Sequence, residues 1–302
     1  MKFDVILTNP PFQDSLNRKK TPHKLWIDFT LVAFRNYLKD DGLYVQVSPA
    51  SFSSPSNKVL KLMTDHSTEF IRFDTGHHFP TVGSSFSDYA IRKTENRNSK
   101  TLFFTSSAEF NFGFNENTFY LPNDISPMAL EIHRKLMFRN QEKFTVNWDY
   151  VVCHNINRYK NEPTLSEIET KSHKYPVFHT NRSIWWSSVR QPWAQSKKVM
   201  WTRSGYTKPF FDDGNLGGTD MAYYIVVDSK TEGKNLQTIL NSPAYQYIFK
   251  TAKWSGFGNE LVFSNLPFID YSKELTEDEI ARTFKLTKRE VAYINETLGR
   301  NK

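Results

Sequence analysis

Over the first 95 positions, short apolar runs alternate with stretches of helical period. Residues 3–7 (Phe-Asp-Val-Ile-Leu) predict a strand buried on both faces. Across 24–38, Trp26, Phe29, Ala33 and Tyr37 recur at helical spacing and predict a helix that turns them into the core, with Asp40-Asp41-Gly42 as its glycine-terminated end. A second strand is predicted over 43–47, closed by Ser48-Pro49, and a short helix over 57–65. Two more strands, 70–73 and 89–92, flank a loop of Gly, Ser and Pro. Strands alternating with helices imply an α/β fold with a mostly parallel sheet.

Between Thr94 and Lys100 the chain turns polar, and a domain boundary is expected there. Beyond it the pattern is irregular and aromatic-rich, with helices predicted over 127–139 and 236–252 and a strand over 222–227. The last thirty or so residues read as helical. Thr276-Glu277-Asp278-Glu279 and Thr287-Lys288-Arg289-Glu290 each have the spacing of a capping box. The division expected is a first domain over 1–100, a second over 101–270 and a helical tail over 271–302.

Composition narrows the choices. No apolar run approaches the roughly 20 residues that cross a bilayer, so no membrane role is expected. The single cysteine, Cys153, excludes a disulfide framework and a zinc site built on paired cysteines, and it fits a reducing cytoplasm. His77 and His78 read as surface or packing residues, and no metal is expected. A net charge of +7 suits a polyanionic partner, and 15% aromatic content suits base stacking.

The sharpest chemical signal is Asn9-Pro10-Pro11-Phe12, directly after the first predicted strand, where open parallel sheets place their sites. A rigid turn is the plain alternative. The functional reading concerns an exocyclic aromatic amine, a poor nucleophile because its lone pair is delocalised into the ring. Two fixed acceptors, the Asn9 side-chain oxygen and the Pro10 carbonyl, would hydrogen-bond its two N–H groups and favour a pyramidal nitrogen. The prolines fix that backbone in advance. Phe12 offers a face to an extruded base, worth about 1–3 kcal/mol, against an unstacking cost of a few kcal/mol.

With these residues the chain resembles the N6-adenine DNA methyltransferases of restriction–modification and phage systems, whose catalytic motif is a polar residue, two prolines and an aromatic. Leu25-Trp26-Ile27-Asp28-Phe29 is similar to the helix that follows that motif, and Gly42-Leu43-Tyr44-Val45-Gln46-Val47-Ser48-Pro49 to the next strand. Phe79-Pro80-Thr81-Val82-Gly83-Ser84-Ser85 resembles a loop near the target base, which makes Phe79, Ser84 and Ser85 candidate substrate contacts. Asn265-Leu266-Pro267-Phe268 and 275–280 resemble the tail of such enzymes. The resemblance implies part of a Rossmann-like class I methyltransferase sheet followed by an α+β target-recognition domain. It implies methyl transfer from S-adenosylmethionine (SAM) to an adenine flipped out of double-stranded DNA.

The family also needs a glycine-rich loop after a strand, with an acidic residue, to hold the cofactor. Only eight residues precede Asn9, so that half is not upstream in this sequence. The downstream candidate, Trp254-Ser255-Gly256-Phe257-Gly258, follows a predicted helix and reads as a turn. No cofactor-binding residue is assigned. Without a neighbour from the cofactor half, strand 3–7 is expected to form an apolar exposed edge. A SAM-binding subunit or a missing N-terminal half is therefore an expected partner.

In the middle of the chain, Arg182, Trp185, Arg190, Lys197 and Arg203 stand among further aromatic, amide and cationic residues. Cations suit phosphates, and Arg, Asn and Gln read base edges. Tryptophans packing a small β-rich core are the alternative. Gly217-Gly218 is either a tight turn or an opening for a backbone phosphate. Two other functions stay open: a non-catalytic DNA-binding specificity module, and an RNA or protein-glutamine N-methyltransferase.

Overall fold

The computed structural model describes residues 1–12, 24–55, 57–78, 85–96, 100–113, 117–156, 164–180, 183–203, 208–252 and 259–300, without the side chains of His77 and Asn259. Two compact units result: Met1–Asn140 with Thr251–Leu261, and Gln141–Lys250 with Val262–Lys302.

The first unit contains β1 (Phe3–Thr8), α1 (Leu25–Val32), β2 (Leu38–Pro49), α2 (Lys58–Asp65), β3 (His66–Arg72), β4 (Phe86–Glu95), β5 (Lys100–Phe104), β6 (Glu109–Gly113) and α3 (Pro127–Leu136). Its six strands form one sheet in the order β1-β2-β4-β3-β5-β6. The polar stretch after Thr94 separates β4 and β5 of this same sheet. The sheet is mixed rather than mostly parallel. β1 runs parallel to β2 across the helical connection, whereas β4 is antiparallel to both β2 and β3. The reason lies between β3 and β4. Thirteen residues, 73–85, join them, and the described part of that connection holds a 3₁₀ turn, Thr75–His78, and no helix of the kind that usually carries a parallel crossover.

Register fixes which side chains share a face. Ile6 is paired with Tyr44 and Thr8 with Gln46, on the face that carries the core. Val5 is paired with Leu43 and Leu7 with Val45, on the opposite face. On that face β1 is bare: Val5 is 60% exposed and Leu7 77%. The expectation of a strand buried on both faces therefore fails, because β1 is an edge strand whose second face is uncovered.

The core of this unit packs Trp26, Phe34, Leu38, Tyr44, Phe52 and Met63 with their neighbours. Within α1 the buried stripe is Trp26 and Thr30, one turn apart, with Leu31 beside it. Phe29 and Tyr37, expected in the core, are about half exposed (48% and 50%). They point off that stripe, Tyr37 from a π-helical turn (Ala33–Tyr37) that extends the helix. Asp41 adopts the left-handed conformation (φ 61°), as Asp tolerates. Gly42 is needed for room, since a Cβ there would lie 2.9 Å from both the Leu38 side chain and the Lys39 carbonyl and 3.0 Å from the Asp4 carbonyl.

The second unit holds β7 (Leu165–Ser166), β8 (Tyr175–Phe178), β9 (Ile184–Ser187), β10 (Lys197–Thr202), β11 (Phe210–Asp213), β12 (Gly217–Gly218) and β13 (Ala222–Val226). They form two small sheets, β11-β10-β13 and β12-β8-β9-β7. α4 (Lys230–Asn241) begins at a capping box of Ser229 and Glu232. The single helix predicted over 236–252 is two, because Ser242 leaves helical geometry ahead of Pro243, which opens α5 (Pro243–Thr251). A short helix α6 (Asn259–Phe263) follows. Both predicted capping boxes are formed, Thr276 with Glu279 ahead of α7 (Glu277–Thr283) and Thr287 with Glu290 ahead of α8 (Lys288–Leu298). Among the described residues no helix is long and apolar enough to cross a membrane.

Candidate functional site

The backbone leaves β1 at Thr8, beside Gln46 of β2, and turns through the polar–proline corner. Asn9 and Pro11 are exposed, Pro10 is buried and Phe12 is half-buried. The buried Pro10 packs inside the turn, while Asn9 stands exposed at the carboxyl end of the strand. The Phe12 ring lies 5.2 Å from that of Phe86, tilted by 43°. Phe86 opens β4 opposite Pro49, and the Ala50 amide donates to the Ser85 carbonyl at 2.8 Å. Strand pairing thus brings exposed Ser85 to the same sheet end as Phe12, although they are 73 positions apart in the chain. Phe79 and Ser84 lie outside the described residues.

Beneath this corner runs a buried polar network that the apolar reading of β2 missed. Gln46 Oε1 accepts from Thr30 Oγ1 at 2.9 Å and from the Tyr44 hydroxyl, and Gln46 Nε2 donates to the Tyr89 hydroxyl at 2.9 Å. All four side chains are fully buried. Burial pushes the Tyr44 phenol up to about 12 and the Tyr89 phenol higher still. Both stay neutral near pH 7, Tyr44 donating to Gln46 and Tyr89 accepting from it, and together they hold Gln46 in one orientation. The sequence does carry a trace of this, since Tyr44, Gln46 and Ser48 recur at period two along one strand face.

A SAM cradle requires a glycine-rich turn from a strand into a helix, with an acidic partner for the ribose. Among the described residues of this unit no glycine-rich turn leads from a strand into a helix, and no residue is assigned to the cofactor. Trp254 to Gly258 lie outside the described residues.

The recognition candidates of the second unit separate by burial. Trp185 is half-buried, stacks on His179 (4.2 Å between centroids, 10° between planes) and packs on Val152, Leu165 and Val177. Trp201 is a core residue at 1% exposure, lying against Tyr223, Phe249 and Phe263. Lys197 is exposed, but its neighbour Lys198 is fully buried. Its ammonium donates to Asp212 at 2.6 Å and to the Ala194 and Ser196 carbonyls at 2.9 Å each. Arg203 is half-buried, with its amide donating to the Met221 carbonyl. Arg182 lies outside the described residues.

Arg190 is exposed and borders a cleft of about 310 Å³ that also takes in Tyr175, Gln195 and Asn215. Gly217 lines the same cleft, beside Gln191. The buried Gln191 amide donates to the Gly218 carbonyl and accepts from its N–H, both at 2.9 Å. A Cβ at Gly217 would sit 2.3 Å from Gln191 Oε1, so close packing, not a phosphate, requires glycine there. Asp149 receives Gln191 Nε2 and Trp193 Nε1, which ties this wall together.

No protein-family model matches the sequence, and no curated protein does. Solved structures do. The Type ISP restriction-modification enzyme LlaGI, as a nuclease-deletion mutant on a DNA substrate mimic, aligns over 96% of this chain and 42% of its own, at TM-score 0.50 and 10% identity. The Type IIL restriction-modification enzyme MmeI in complex with DNA aligns over 99% of this chain and 54% of its own, at TM-score 0.43 and 11% identity. The ATP-dependent Type ISP enzyme LlaBIII bound to DNA aligns over 93% and 29%, at TM-score 0.40 and 11% identity. The chain spans between 29% and 54% of the length of these enzymes. At such identities the likeness concerns fold alone, and that fold is one found in restriction-modification enzymes.

Proposed function

We propose that the chain is the catalytic-motif and target-recognition portion of a SAM-dependent N6-adenine DNA methyltransferase of restriction-modification type. The first unit handles the target adenine and the second reads the duplex. The carrying observation is the Asn9–Phe12 corner at the carboxyl end of β1, with Asn9 exposed and Phe12 against Phe86. The Asn9 side-chain oxygen and the Pro10 carbonyl accept the two N6–H groups of an extruded adenine, and Phe12 stacks on its ring. Gln46, locked by Thr30, Tyr44 and Tyr89, stiffens the strand end from which the corner projects. SAM, when held, supplies the methyl group.

The bare face of β1 supports a second part of the proposal. Exposed Val5 and Leu7 form an apolar strip along an edge strand, and Phe29 and Val32 of α1 are also about half exposed. Such an edge suits a neighbouring strand and a covering layer. We assign them to the cofactor-binding half, whether a separate subunit or a segment of a longer chain. The LlaGI likeness, a fold found on a DNA mimic, makes duplex DNA the first substrate to test.

The test is complementation. Co-expressed with a cofactor half, the chain should transfer labelled methyl from SAM to adenine in DNA. Asn9→Ala should abolish transfer and leave duplex binding intact. Sequence-selective binding with no transfer under any complementation would favour the specificity-module reading. Transfer at full rate by Asn9→Ala would overturn the role given to the corner.

A further inference from the structure

Outside this site, the second unit gathers three metal-ligating side chains from distant parts of the chain. Cys153 Sγ, a His154 ring nitrogen and an Asp220 carboxylate oxygen all lie within 4.8 Å of one another. Cys153 is buried, His154 half-buried and the Asp220 side chain 12% exposed. Backbone bonds fix the two segments against each other. The Asp220 amide donates to the Val152 carbonyl at 2.8 Å, and the His154 amide donates to Asp220 Oδ1 at 2.8 Å. The same oxygen lies 2.8 Å from His154 Nδ1.

We infer that Cys153, His154 and Asp220 form a binding site for a borderline-soft divalent cation of the zinc class, with water completing the coordination. A thiolate, an imidazole and a carboxylate are a donor set that suits zinc and disfavours magnesium and calcium, which take oxygen ligands. Tetrahedral zinc, with bonds of about 2.0–2.3 Å, places its ligand atoms roughly 3.5 Å apart. The widest separation, at most 4.8 Å, closes by no more than about 1.3 Å, and the His154–Asp220 contact opens from 2.8 Å by several tenths. On binding, the Cys153 S–H bond breaks, its proton passes to solvent, and the sulfur–metal bond forms. His154 binds as the neutral ring, so one proton is released per cation.

The location gives the cation a purpose. It would pin the 152–154 segment to the turn that precedes β13. His179 Nε2 lies 3.1 Å from the His154 carbonyl oxygen, and the His179 ring carries Trp185. A cation here would stiffen that stack.

The experiment titrates the full chain with Co²⁺ and, separately, Zn²⁺. The expected result is one Co²⁺ per chain with a thiolate-to-cobalt charge-transfer band, displaced by Zn²⁺. Zn²⁺ should also raise the midpoint of thermal unfolding. Cys153→Ser should remove the band. Asp220→Asn keeps an oxygen for the His154 amide, so it should fold normally yet bind at least tenfold more weakly. No charge-transfer band with the wild-type chain, or a band unchanged in Cys153→Ser, would overturn the site. So would unchanged affinity in a folded Asp220→Asn.

Discussion

The rings of Phe12 and Phe86 meet at 5.2 Å, joining the end of the polar–proline corner to the first residue of β4. Phe86 is 3% exposed and belongs to the scaffold, whereas Phe12 is half-buried and, under the proposed function, is the ring that faces a base. Phe12→Ala should lose about 1–3 kcal/mol of base stacking, a drop in methyl transfer of roughly 5- to 150-fold. Duplex affinity should stay within about twofold. A 2-aminopurine probe at the target position reports extrusion directly, and its fluorescence gain should fall in Phe12→Ala and survive in Phe12→Trp.

Leu7 separates folding from partnership. At 77% exposure it contributes little to the isolated unit, so Leu7→Glu should shift stability by no more than about 0.5 kcal/mol. The same charge on an edge strand opposes the docking of a neighbouring apolar strand. Co-purification with a complementing cofactor half should therefore fail while the unfolding curve of the chain alone is unchanged. Full complementation by Leu7→Glu would remove β1 as the docking edge.

Lys197 and Lys198 are adjacent in sequence and opposite in fate. Asp212 holds Lys198 inside the protein, and its carboxylate also accepts from the Gly214, Asn215 and Leu216 amides. Burial lowers the Lys198 pKa, while Asp212 acts to keep the ammonium charged. Asp212→Ala strands that cation and opens the turn, and should cost about 3–5 kcal/mol in urea unfolding. Lys198→Met should cost less, since the carboxylate keeps its amide donors. Lys197→Ala should leave stability within about 0.5 kcal/mol. If Lys197 meets a phosphate, its loss lowers the log–log salt slope of DNA binding by about 0.9.

What could be read from the sequence follows from how local its cause is. The helix starts at Asn57, Ser126, Thr276 and Thr287 depend on a side chain and an amide two or three residues on, and all four caps are formed. The Asn9–Phe12 corner was visible for the same reason: chemistry and rigidity lie in four consecutive residues. Sheet direction was not, because β4 entering between β2 and β3 depends on pairing across the whole unit. Nor were the burials of Lys198 and Trp201, or the exposure of Phe29, since helical or strand period gives a face but not what covers it. The Gln46 network and the Cys153–His154–Asp220 cluster needed partners 16 to 67 positions away.

His133 makes the first unit sensitive to acid. Burial holds its pKa down at about 3, against 6.5 when free. Its ring packs edge-on to Tyr120 at 5.3 Å, and Nε2 lies 2.9 Å from Thr251 Oγ1. Between about pH 6.5 and pH 3 the unfolded chain takes up a proton at this residue that the folded chain does not. The unfolded state thus binds more protons there, and stability falls as pH falls, by up to about 1.4 kcal/mol per pH unit. His66, also lowered by burial, adds in the same direction. The carboxylates of Asp4, Asp270 and Glu279 have their pKa values lowered, so the stability they add is lost only further into acid. The effect of His133 and His66 therefore begins between pH 6.5 and 5, ahead of those carboxylates. His133→Gln keeps a polar atom for Thr251 and removes the proton site, so its unfolding free energy should vary less with pH there than that of the wild-type chain. Parallel curves for the two proteins would show that His133 titrates alike in both states.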